Sequence, residues 1–305
     1  MDTRQSPLPS PLNSQRLAGA RRVLMVAALY MGLPFSPVAA ASASQDVAPV
    51  VHVPVASDIP VVVKAIAPGR GQIVGTFNVP DGFKGWLVQE GQPPSTKIVF
   101  TTPDGKYLLA GDLVGPDRVD LTERYTEDLI RRPLREHAWP DVERAASVRE
   151  GAANPKAIIY AFADPNCIYC HLLWKALQPY EAEGLQVRWI LVGLIKRDSS
   201  GKAAALLEAK DPSVAMRRLQ TGYIEVSESG AIEPVTGSPA TQASLRANLD
   251  LFKRLQIYGT PAILYKDRVT GEPIVQQGFP HLRDLAQVTG LPLARTTDRE
   301  LARYW

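Results

Sequence analysis

The sequence predicts a chain of two folded parts, a small α+β unit followed by a larger α/β unit, and three observations predict it. The chain has 305 residues, 45% of them hydrophobic, about twice the ~150 residues of one domain and enough for more than one core. Between residues 72 and 111, four short strand-like runs are separated by the turn sequences VPDG, GQPP and TPDG. Between residues 157 and 191, an apolar run, a helical stretch and a second apolar run follow one another, the order of a parallel strand pair with a crossover helix.

The elements are justified in chain order. Arg4, Arg16, Arg21 and Arg22 precede the apolar run Val23–Leu33, and the small-residue stretch PVAAASAS follows. This is the pattern of a cleaved export signal over residues 1–43. Eleven apolar residues fall short of the ~20 that span a bilayer. Cleavage at residue 43 takes four of the 34 basic and one of the 31 acidic residues, leaving 30 of each. A neutral chain with no clustered Lys/Arg excludes a nucleic-acid footprint. Residues 44–58 read as an extended Val/Pro/Ala tether. Residues 59–115 form the α+β unit, with a helix near Val61–Ala67 and strands near Gln72–Asn78, Gly85–Glu90, Lys97–Thr102 and Tyr107–Gly111. At about 55 residues such a unit is marginal alone, so pairing with a second copy would help it. Residues 116–150 are highly charged and read as a solvated helical linker interrupted at Pro133 and Pro140.

The α/β unit is placed at residues 151–305. Ala157–Ala163 suits a strand buried on both faces. Leu172, Leu173, Ala176, Leu177 and Tyr180 recur at helical spacing before VRWILVGLI, the next strand. Candidate helices follow at Ala203–Lys210, Pro212–Gln220 and Thr241–Leu255, then a strand pair in GTPAILYKD and EPIVQQG, and a last helix at His281–Val288. Trp174 and Trp189 read as packing residues.

The two cysteines, Cys167 and Cys170, sit three positions apart where the strand Ala157–Ala163 feeds the helix. A thiol at a helix start faces unpaired N–H groups and the positive end of the dipole, so its thiolate, the nucleophilic form, is favoured. One helical turn places Cys170 within disulfide reach of Cys167. His171, if protonated, would add a cation as a modulator. A zinc site lacks support, because His52, His137, His171 and His281 show no ligand spacing and there is no second C-x-x-C. CIYCH also fits c-type haem attachment with His171 as axial ligand, and an inert short-loop disulfide is a further reading.

FADPNCIYC, together with ILVGLIK, LLEAKDPS and GTPAILY in order, resembles the DsbC/DsbG family of exported thiol:disulfide interchange proteins. VKAIAPGRGQIVGTFNVPDGFKGWL and TPDGKYLLAG resemble its N-terminal domain. The resemblance implies a homodimer with cystatin-like dimerisation domains, linker helices, and thioredoxin-fold catalytic domains carrying a helical insertion before Gly259. It implies that Cys167 attacks, that Cys170 resolves, that Thr260-Pro261 forms a cis bond facing them, and that Ile168, Tyr169, Thr260 and Pro261 meet the client. From the residues alone Pro261 would be trans, since only ~5–6% of X-Pro bonds in folded proteins are cis. Gly278 fits either the neighbouring loop or an ordinary turn. The implied activity is isomerisation or reduction of disulfides, and reduction of sulfenic acids, on periplasmic client proteins. A DsbD-like membrane protein would supply electrons, with no cofactor beyond the cysteine pair and no metal. The family usually has Pro-Tyr between the cysteines and often Lys after them; here Ile168-Tyr169 and His171 stand there, which leaves the redox potential open. A DsbA-like oxidase, a chaperone-like dimer with an idle disulfide, and the haem reading remain as rivals.

Overall fold

The computed structural model describes residues 48–305 except 68–70, 93, 117 and 297. The export signal expected at residues 1–43 lies outside them. Within the described residues the expected extended tether makes a single antiparallel bridge, His52 with Thr76, but ends in a 3-10 turn at Ala56–Asp58.

The first sheet is a meander of β1 (Gln72–Asn78), β2 (Lys84–Glu90), β3 (Ser95–Thr101) and β4 (Leu108–Leu109), in that order and antiparallel throughout. The short helix α1 (Val61–Ala65) precedes it. Strand side chains alternate, so the sheet has two apolar faces to cover. Trp86, Val88 and Val99 pack with Val63 of α1, whereas Phe77, Leu87, Ile98 and Phe100 pack with Tyr125 on the far side. Coverage of both faces explains why four consecutive residues of β2, Gly85–Val88, are buried. Gly85 is required there: a Cβ would lie 2.1 Å from Cζ of Phe77, whose ring covers the backbone.

The charged stretch folds as one continuous helical segment: α2 (Leu121–Thr126), a π-helical turn at Glu127–Arg131, and α3 (Arg132–Arg144). Asp120 caps it by accepting from Glu123 N at 2.9 Å. The interruptions expected at Pro133 and Pro140 do not occur. Pro133 falls in the first turn of α3, just after the widened π turn, where its missing N–H costs least, and the helix runs through Pro140. Nor is the segment merely solvated. Leu121, Leu129 and Ile130 pack on the first sheet, while Ala138, Trp139 and Val142 are buried against Tyr160 and Phe162 of the second.

The expected linker end at residue 150 is also corrected, because β5 (Ser147–Gly151) is the edge strand of the second sheet. That sheet continues with β6 (Ala157–Ala163), helix α4 (Ile168–Ala182) and β7 (Leu185–Leu191). Three helices follow, α5 (Ser199–Leu207), α6 (Pro212–Thr221) and α7 (Pro239–Arg254), before the hairpin β8 (Ala262–Lys266) and β9 (Pro273–Gln277) and the short α8 (Leu285–Thr289). The strand order is β5-β7-β6-β8-β9; β6 and β7 are parallel, as the strand–helix–strand pattern requires, and the other neighbours are antiparallel. α4 and α8 cover one face of this sheet, α3 and α7 the other. Central β6 is buried on both faces from Ile159 onward, which is why it reads as an unbroken apolar run.

Candidate active site

The site forms where β6 ends and α4 begins. Asp164 terminates the strand and collects four donors: Oδ1 accepts from Asn166 N at 2.9 Å and Ser199 Oγ at 2.8 Å, and Oδ2 from Leu194 N and Ile195 N at 2.6 and 3.0 Å. This carboxylate ties the loop before the cysteines to the loop after β7. Asn166, fully buried, is held as firmly. Its Nδ2 donates to Asp198 and Ser199, its Oδ1 accepts from Lys202 Nζ at 2.9 Å, and its main-chain oxygen accepts from Tyr223 O–H at 2.9 Å. Lys202 is itself buried and also meets Asp198 and Ser229, so this interior cation is paired and hydrogen-bonded. The residues around α5 and α6 thus fix the residue just before Cys167 from three directions.

Cys167 occupies the N-cap of α4, with extended φ/ψ of −80° and 118°, and its Sγ accepts from Cys170 N at 3.3 Å. The same sulfur lies 3.2 Å from the Thr260 carbonyl oxygen. Hydrogen bonding from the Cys170 side chain, then the Thr260 side chain and the N–H groups of Cys170 and Tyr169, lowers the Cys167 thiol from 9.0 to about 7, against the opposing effect of burial. Cys170, 1% exposed, moves the other way: burial first, then Cys167 itself, raises its thiol well above the ordinary value. Two thiols one turn apart therefore differ in kind, one nearly half ionised at neutral pH and the other held protonated.

The Thr260-Pro261 peptide bond is cis, as the resemblance implies, and Gly278 N donates to the Pro261 carbonyl at 2.9 Å. A Cβ placed on Gly259 or Gly278 would meet nothing within 4 Å, so an open shelf flanks the pair. Ile168 is half-buried and Tyr169 is 49% exposed beside it. Ile168, Tyr169, Thr260 and Pro261 are all brought to the cysteines or to this shelf.

The profile of a thioredoxin-like domain matches residues 144–289. The thiol:disulfide interchange protein DsbG of Pseudomonas aeruginosa is 32% identical over 77% of this chain and 90% of its own length. The chain belongs to the DsbG family. The Escherichia coli K12 DsbG is 31% identical over 77% of the chain and 93% of its own length. The DsbC of Haemophilus influenzae is 26% identical over 42% of this chain and 53% of its own. The profile begins before β5, in agreement with the strand that moves the catalytic unit's border upstream of residue 151.

His171, expected as a modulator beside the pair, does not lie on the surface of this DsbG-family chain. It is buried, stacked on Tyr223 with ring centroids 4.4 Å apart and planes 8° from parallel, and its Nδ1 is 2.9 Å from Gln220 Oε1. The ring serves as a spacer between α4 and the end of α6. Among the described residues, no group of three or more His, Cys, Asp and Glu could hold a metal ion.

Sequence reading passed over Glu150 entirely. Taken as the last charge of a solvated linker, it is a residue of β5 whose side chain is turned inward, 2% exposed, and its Oε2 accepts from both Trp174 Nε1 and Trp189 Nε1 at 3.0 Å. Burial, then the charge of Glu181, raises its carboxyl from 4.5 to about 7; the two indole donors and Arg217 oppose the rise. The two tryptophans read as packing are also the donors that hold this carboxyl. A signal was present in the period-two alternation of VREG, which puts Val148 and Glu150 on one strand face and Arg149 on the other.

Proposed function

We propose that Cys167 is the attacking and Cys170 the resolving sulfur of a protein disulfide isomerase and reductase acting on exported client proteins. Membership in the family makes the chain a thiol:disulfide oxidoreductase. In the proposed cycle the Cys167 thiolate attacks one sulfur of a client disulfide, a mixed disulfide forms, and the other client sulfur leaves as a thiolate that takes a proton from water. If a client thiolate then attacks the mixed disulfide, Cys167 is released reduced and the client is isomerised. If Cys170 gives up its proton and attacks instead, the client leaves reduced and a Cys167–Cys170 disulfide remains. Two electrons from a DsbD-like membrane reductant restore it. On a sulfenic acid, attack at sulfur expels hydroxide, which leaves as water, and gives the same mixed disulfide.

One observation carries this reading: a thiol pulled down to about 7 at the helix start, one turn from a buried thiol pushed up, beside the open shelf at Thr260-Pro261. Ile168, Tyr169, Thr260 and Pro261 would line the client's path, and His171 would act through Tyr223 by holding the loop before Cys167. We extend the reading to a periplasmic homodimer exported by residues 1–43, with residues 59–115 as a cystatin-like dimerisation domain. β1 is an edge strand of its sheet, and among the described residues its outer side is bridged only at Thr76, by His52, which supports this. The test is insulin reduction together with reactivation of scrambled ribonuclease. Cys167→Ser should lose both activities, while Cys170→Ala should lose reduction and keep isomerisation. Activity retained by Cys167→Ser would overturn the proposal.

A further inference from the structure

The last residues of the chain were not absorbed by the site, and they contact it indirectly. Tyr180 O–H accepts from Ala294 N at 3.2 Å, so the chain turns back onto α4. Lys175 of α4 then pairs with Asp298 and Glu300, both at 2.7 Å. Leu301, 1% exposed, plugs into the core cluster under α4, and Leu301–Tyr304 forms a single 3-10 turn. Tyr304 ends the run with its ring edge-on to Phe279, centroids 4.9 Å apart and planes at 88°. Phe279 follows Gly278, whose N–H is bonded to the Pro261 carbonyl. A continuous line of contacts therefore runs from the tail through Phe279 to the residue beside the Cys167 sulfur.

We propose that residues 298–304 are a strap that holds the Phe279 ring and with it the Gly278 loop, one wall of the shelf on which an extended client segment lies, so that Tyr304 is a positioning residue for client capture. The inference rests on the reading of Cys167 and Thr260-Pro261 as the client site. Phe279, the residue after Gly278, is partly buried and packs on the core cluster under α4, so its ring sets where the Gly278 loop stands beside the open shelf. Unaided, that ring stands on a loop whose glycine has φ of +72° and whose side chains are half-buried. Edge-to-face packing on Tyr304 holds its orientation, and the double ion pair at Lys175 anchors the other end of the strap to the same helix that bears the cysteines. The polar and ring contacts described between the strap and the rest of the chain are with Lys175, Tyr180 and Phe279, not with either cysteine. It should therefore act on binding and not on chemistry.

Single-turnover kinetics of the reduced full-length protein separate the two. The probes are a decapeptide whose central cysteine is a mixed disulfide with glutathione, and bis(2-hydroxyethyl) disulfide, which has no peptide chain to lay along the shelf. Tyr304→Ala should raise the half-saturation concentration for the peptide about five-fold, with the limiting rate and the small-disulfide rate unchanged. Tyr304→Phe, which keeps the ring, should restore the parent value. Asp298→Asn combined with Glu300→Gln, which loosens the strap at its far end, should raise the same constant alone. An unchanged half-saturation concentration in both Tyr304→Ala and the double variant would overturn the strap. So would an equal loss on peptide and small disulfide. If the parent itself reduced neither probe, the reading of the site would fall and the strap with it.

Discussion

Two acids of this chain reach about 7 from opposite sides: the Cys167 thiol at the first turn of α4 comes down from 9.0, and the Glu150 carboxyl of β5 comes up from 4.5. The first is met by donors aimed at its charged form, and they outweigh the burial that opposes them. For the second, burial outweighs two indole donors, and the neighbouring Glu181 adds to it. The same final value therefore records a stabilised anion in one region and a penalised anion in the other. The consequences for folding have opposite signs. Glu150 contributes stability that is full below about 4.5 and is lost as pH rises through about 7. Cys167 contributes stability that is present above about 9 and is lost as pH falls through about 7.

Reactivity should show the largest difference. With iodoacetamide, Cys167 in the reduced protein should be alkylated with a pH midpoint near 7 and about a hundredfold faster than Cys170 at that pH, each modified peptide being resolved by mass spectrometry. Equal rates for the two thiols would break the comparison. Stability comes next. Glu150→Ala leaves both indole N–H groups without their acceptor and opens a cavity, so urea unfolding at pH 6 should show a loss of about 3 kcal/mol. Glu150→Gln keeps an acceptor for the indoles and cannot ionise. Relative to it, the parent should lose on the order of 3 kcal/mol between pH 4.5 and pH 8, and a constant gap across that range would mean that folding does not raise the Glu150 carboxyl.

Why one of these acids was legible in the sequence and the other was not follows from how each is built. Cys167 is positioned by local structure: an apolar strand, a three-residue loop and a helix start, each visible as pattern, and the pair at i and i+3 falls on one turn of α4. The same holds for β1 to β3 and for the parallel pair β6 and β7, whose turn residues and apolar runs are contiguous in sequence. Glu150 is buried by pairing of β5 with β7, almost 40 residues downstream in register (Glu150 opposite Val187), and the alternation in VREG marks a strand face without marking that tertiary structure will cover it. Asn166 and Lys202 were missed for the same reason, since their contact joins residues 36 positions apart. The burial of His171 was not legible because α4 is covered on the side facing Tyr223 by the insertion, a contact with no local signature. Pro133 and Pro140 misled in the other direction, since a helix packed on both sheets tolerates a proline that an isolated helix would not.

The division of labour between the two sulfurs is tested most directly by trapping. Cys170→Ala, reduced and mixed with an excess of a disulfide-bonded client, has no internal thiol to release the adduct; proteolysis and mass spectrometry then locate the client-linked cysteine. A mixed disulfide on Cys167 that accumulates in this variant and is fleeting in the parent is the predicted result. No adduct, or release as fast as in the parent, would contradict the account.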